Sequence, residues 1–194
     1  MKTKVLFFSI MLLAISQLTI SPINAQSLKL NQKTFSMSIL GTTNVHNFES
    51  KVTTASGDLV ITDKKVQSFS VEIPVKGIKS NEKLMDTKTY EAFDAEKNPK
   101  ISFKSTEVNS LKVDGSEIIV SLTGNMTIAG VTRKISLSAT GKIIKPGVYE
   151  FKGMIPVKMT DYKMKPPTAM MGVMRVGDDV KLKFSVTFEG APVS

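Results

Sequence analysis

Few side chains in this sequence are of types that do chemistry, and their spacing restricts what they could do together. His46 is the single histidine, close to Asn44 and Asn47 in "GTTNVHNFES". Its imidazole titrates near neutral pH, which keeps it a candidate acid or base. With no cysteine in the chain and no second histidine, it cannot build a metal site or a catalytic triad by itself. A structural role, or a hydrogen bond to the polar end of a ligand, is the simpler use. Asp161, Asp178 and Asp179 are near one another and near glycine, a pattern of turn chemistry more than of calcium ligation. Six methionines fall between Met154 and Met174. Thioether clusters can hold Cu(I); they also fill irregular gaps or adapt to a flexible apolar ligand. No G-x-S-x-G, H-E-x-x-H or glycine-rich phosphate loop occurs, so neither enzymatic activity nor a cofactor is expected.

The methionines crowd into "TDYKMKPPTAMMGVMRVGDD", Thr160 to Asp179, which follows neither the helix period nor the strand period. Its prolines extend the chain over 163–167. Met164, Met170, Met171 and Met174 are therefore expected to fold as a lid over the mouth of whatever scaffold flanks them. That scaffold is written in period-2 alternation. Val180, Leu182, Phe184, Val186 and Phe188 alternate with Lys181, Lys183, Ser185, Thr187 and Glu189. The same alternation marks Phe69, Val71, Ile73 and Val75; Ile101 and Phe103; Ile118, Val120, Leu122, Met126 and Ile128; Ile135, Leu137 and Ala139; and Phe151, Ile155, Val157 and Met159.

About eight strands follow, at 28–40, 48–62, 66–76, 99–107, 117–128, 131–142, 148–159 and 179–189, with one short helix over 82–93 anchored by Leu84, Met85, Tyr90 and Phe93. Short links at 63–65, 129–130 and 146–147 join neighbours as hairpins. An all-β, eight-stranded antiparallel barrel is the arrangement that leaves no sheet edge. Strands of about 11 residues would make it on the order of 25 to 30 Å tall. Any cavity would be long, narrow and apolar, lined by Phe69, Val71, Ile73, Phe103, Val120, Leu122, Met126, Leu137, Phe151, Val157, Met159, Leu182, Phe184, Val186 and the lid methionines. His46, Asn44 and Lys163 are the candidates for a polar end.

Lys2 and Lys4 precede an apolar run from Val5 to Leu18 and a small-residue exit ending at Ala25. This pattern reads as a secretory signal peptide over residues 1–25, with a mature domain over 26–194 that is periplasmic or secreted. The formal net charge of +9 falls to about +7 without Lys2 and Lys4. The remaining lysines are spread along the chain, so a solvated surface is the plainer reading beside an anion or membrane-surface site. Nucleic acid is not an expected partner of an exported protein. An outer-membrane barrel would also show a leader and alternating strands, but no Trp and three Tyr are too few for aromatic girdles at both interfaces.

"LMDTKTYEAFDAEKNPKISFKST" (Leu84 to Thr106), "LTGNMTIAGVTRKISL" (Leu122 to Leu137) and "TDYKMKPPTAMMGVMRVGDDVKLKFSVTF" (Thr160 to Phe188) resemble, in order, the exported polyisoprenoid-binding YceI-like family. "GTTNVHNFES" is similar to the segment after the first strand in one branch of it. Phe48 stands where related sequences often carry Trp, and Met126 where Leu is commoner. The resemblance implies a lipocalin-like barrel whose tunnel holds an isoprenoid chain, such as a polyprenyl lipid or a quinone tail. It carries no catalytic residues. Together these readings point to a lipid carrier, monomeric or homodimeric, that touches a membrane surface transiently; copper handling through 154–174 is the alternative.

Overall fold

Alternation sends every second side chain to the same face of a strand, and here the apolar face turns inward around a closed barrel. The computed structural model describes residues 25–62 and 65–192. The expected leader, save Ala25, and the centre of the 63–65 link lie outside the described residues. In chain order the strands are β1 (Ala25–Leu30), β2 (Ser36–Thr42), β3 (Asn47–Val52), β4 (Ser56–Thr62), β5 (Lys65–Pro74), β6 (Ile78–Lys79), β7 (Lys100–Asp114), β8 (Glu117–Ile128), β9 (Val131–Lys145), β10 (Val148–Lys158), β11 (Thr168–Ala169), β12 (Met174–Arg175) and β13 (Asp179–Glu189). The helix, α1, spans Lys83–Phe93.

Eight staves close the barrel. β1 and β2 form one broken stave, since both pair with β13: Leu30 faces Phe188, and Ile39 faces Leu182. β4 and β3 form the next, pairing with β1 and β2 respectively. β5, β7, β8, β9, β10 and β13 follow in order, each antiparallel to its neighbour. The expected all-β barrel with one short helix is the observed architecture, and the β1 and β2 pairings with β13 close the ring.

Three boundaries differ from expectation. The strands read as 28–40 and 48–62 are each interrupted, at 31–35 and 53–55. β7 runs on to Asp114 instead of ending near 107. Its outer half hides the period, because register shifts at Ser105/Glu107 and Val108/Ser110 put exposed polar residues out of phase. A bulge adds a residue and so displaces the alternation that reveals a strand.

The two ends of the barrel are unlike. At one, the β7–β8 and β9–β10 hairpins turn through Gly115-Ser116 and Pro146-Gly147, and no longer segment among the described residues crosses. At the other lie α1 and the crossing segment 159–176. Of the expected helix anchors Phe93 is buried, while Leu84 is 55% exposed and faces the crossing segment beside Met174. Tyr90 instead fixes the helix by polar contact: its hydroxyl donates to Ile78 O (3.0 Å) and accepts from Lys79 Nζ (2.6 Å).

Candidate functional site

The inward faces enclose a cavity of about 740 Å³, within the range of small-molecule sites. Its wall takes Phe69, Val71 and Ile73 from β5, Phe103 from β7, Val120, Leu122 and Met126 from β8, Leu137 from β9, Phe151 from β10, and Leu182, Phe184 and Val186 from β13. Among the described residues no charged side chain lines it. Phe69, Val71, Phe151, Leu182 and Phe184 remain only half-buried although they sit on the inner face, because they border open space instead of one another. The wall reaches the hairpin end at Val113, Gly115, Ile143 and Tyr149. Val113 is 52% exposed there, so the cavity opens at that end.

A barrel of this size can be filled by its own side chains, and the phenylalanines are large enough to fill it. They do not, because glycines opposite them accept the rings. Phe151 lies beside Gly141 on β9, where a Cβ would meet the ring at 2.6 Å. Phe184 lies beside Gly153 on β10, where a Cβ would meet it at 2.5 Å. Both glycines occupy inward positions. Each ring therefore lies along the wall in the space a side chain would take, and the axis stays clear. Edge contacts link the rings: Phe103 to Phe69 at 6.0 Å, Phe69 to Phe188 at 5.6 Å and Phe188 to Phe151 at 6.4 Å between centroids. Such pairs add about 0.5–1.5 kcal/mol each beyond area burial.

A smaller cavity of about 90 Å³ lies at the capped end, lined in part by Val157, Met159 and Met164. These three, expected in one interior with the rest, belong to this second space. Met174 borders a third, of about 80 Å³, between α1 and the crossing segment. The lid expectation needs correcting at Met171, which is fully exposed at 104%. It is the left-handed residue of a tight turn (φ 55°) that projects it outward. The side chain of Met170 lies outside the described residues. Met154 is 48% exposed on the outside of β10, so the methionines of 154–174 occupy separate environments and form no single thioether cluster among the described residues.

The expected polar end is not in the cavity wall either. His46, Asn44 and Lys163 are all exposed. Asn44 staples the β2–β3 turn to the crossing segment: its Nδ2 donates to Val173 O (2.9 Å) and its Oδ1 accepts from Arg175 N (2.8 Å). His46 contributes its carbonyl, which accepts from the Thr43 amide at 2.8 Å. Lys163 ends a helical turn in the left-handed region. The three acids are spread among separate partners. Asp178 accepts from Thr160 N (2.8 Å) and Oγ1 (2.6 Å), and these bonds hold its carboxyl below the usual carboxylate range. Asp161 faces Arg133 at 3.7 Å and Asp179 faces Lys158 at 3.9 Å. Burial at the same end pushes the Tyr162 hydroxyl up.

Among the described residues, the polar side chains that do face the main cavity are Gln26 and Tyr149, at the hairpin end. Gln26 is 6% exposed; its Nε2 donates to Ala191 O at 2.8 Å, and its Oε1 lies 3.5 Å from the Tyr149 hydroxyl. Periodicity could not single them out, since one Gln at an inward position reads as noise. The glycines did carry a signal: a glycine inside a strand marks close approach by a neighbour.

A family model of the YceI-like domain matches residues 23–188. No curated protein matches the sequence. Among solved structures, BcnA of Burkholderia cenocepacia is 19% identical with a TM-score of 0.66, over 81% of this chain and 98% of its own. A polyisoprenoid binding domain from Saccharophagus degradans is 11% identical with a TM-score of 0.66, over 87% and 99%. The Campylobacter jejuni YCEI protein is 20% identical with a TM-score of 0.53, over 98% and 99%. At these identities the likeness is one of fold.

Proposed function

We propose that this chain, which belongs to the YceI-like family, is a non-enzymatic carrier that shields a long apolar lipid of isoprenoid type, a polyprenyl chain or a quinone tail, inside its barrel. The observation that carries this reading is the uncharged 740 Å³ cavity open at the hairpin end. At about 30 Å³ per water-sized group, that space takes on the order of 25 carbon-sized groups. Burying such a chain at about 25 cal/mol per Å² supplies the driving force without many specific polar contacts. Gln26 and Tyr149 at the mouth offer hydrogen bonds to a neutral polar head, and among the described residues the wall carries no cation for a phosphate or carboxylate. The polyisoprenoid-binding description of the Saccharophagus degradans domain agrees with this reading.

The leader read over residues 1–25 makes the carrier periplasmic or secreted, and loading then involves passing contact with a membrane surface. The reading holds for a monomer and a homodimer alike, since one barrel encloses the whole cavity. Protein purified from a membrane-containing lysate is expected to carry co-purified lipid, detected by mass spectrometry of an organic extract. Empty extracts from several hosts would count against it.

A further inference from the structure

The main cavity and the 90 Å³ cavity at the capped end share three wall residues, Ile101, Met126 and Leu182. Ile101 stands on β7 and Leu182 on β13, staves on opposite sides of the eight-membered ring, with Met126 on β8 between them. The three therefore border both spaces from opposite sides of the barrel, at the level where one cavity gives way to the other. Beyond them the second cavity is as apolar as the first, walled by Ile128, Phe93, Met159 and Met164 among others. It has no role in a single-chamber carrier. A well-packed core does not leave such a void without cost, because its lining atoms forfeit contacts.

We propose that Ile101, Met126 and Leu182 form a movable floor, that the 90 Å³ space below it is a subsite for the terminal part of an isoprenoid tail, and that Met126 sets the tail length the protein retains. Ile and Leu are branched and restricted at their allowed rotamers, whereas Met is unbranched with three rotatable bonds and re-packs readily. Met126 is the floor residue able to swing aside and join the chambers. It is 3% exposed and borders both cavities. A tail entering from the hairpin end fills the main chamber first and gains further burial only by displacing Met126.

This inference rests on the carrier reading, and the test separates the two. Polyprenols of three to seven isoprene units would be titrated into the wild-type protein, Met126→Ala and Met126→Phe, with dissociation constants measured at each length. Met126→Ala should shift the length at which affinity stops rising upward by about one unit, and bind the longest probes about tenfold more tightly relative to the shortest. Met126→Phe should shift it downward. If wild type and both variants bind with the same length dependence, the floor is not a ruler, although the carrier reading stands. If none of the polyprenols binds the wild type, both fall.

Discussion

The hairpin end and the capped end of the barrel solve opposite problems. At the capped end, polar bonds accumulate: Asn44 to the crossing segment, Thr160 to Asp178, and Gly177 N to Thr42 O at 2.8 Å. At the hairpin end the β7–β8 and β9–β10 turns are two residues long, and among the described residues Gln26 and Tyr149 are the polar side chains of the bore. The difference teaches that exposed polar chemistry in this chain closes the vessel, while the glycine-backed rings keep it hollow. His46, Asn44 and Lys163 attract notice in the sequence, but all three are exposed, and of them Asn44 ties the β2–β3 turn to the crossing segment.

Several substitutions would break or sharpen that contrast. The largest effect is expected at Phe188, which has no exposed surface and touches the rings of Phe69 and Phe151: Phe188→Ala should cost about 3–5 kcal/mol in urea denaturation. Gly153→Ala should push the Phe184 ring toward the axis, costing about 1–3 kcal/mol and weakening polyprenol binding about tenfold, read by titration. Asn44→Ala should cost about 1 kcal/mol, seen as faster amide exchange over 160–176 with the hairpin end unchanged. Met171→Ser, at a fully exposed residue, should move stability by less than about 0.5 kcal/mol.

The Asp178 clip adds a pH test at the same end. Its folded carboxyl is depressed by the Thr160 hydroxyl and amide. The clip's contribution is therefore present above the unfolded value of about 3.9 and is lost as pH falls through the lower folded value. Amide exchange over 160–176 should accelerate below about pH 4 in the wild type, and this acid step should vanish in Asp178→Asn.

The barrel was legible wherever one face is apolar and the ladder is regular. β8 and β13 span Glu117–Ile128 and Asp179–Glu189, the bounds expected from alternation alone. Legibility failed where the ladder slips, as in the outer half of β7, and where a stave is broken, as between β1 and β2. Inward-facing residues could be read as inward, because period 2 fixes the face. Whether they met one another or bordered a void could not, because that depends on Gly141 and Gly153 lying beside Phe151 and Phe184, a matter of pairing register. The crossing segment has no period, so the environments of Met164 and Met171, one buried and one exposed, could not be told apart.

The claim on which everything turns is that the barrel interior is space and not packing. Ala139 lines the main cavity and is 7% exposed, so Ala139→Trp tests this most directly, by melting and polyprenol titration of the same sample. The account predicts a melting temperature close to wild type, since the indole enters open volume, together with loss of binding. A variant that unfolds from overpacking, or one that melts and binds like the wild type, would contradict it.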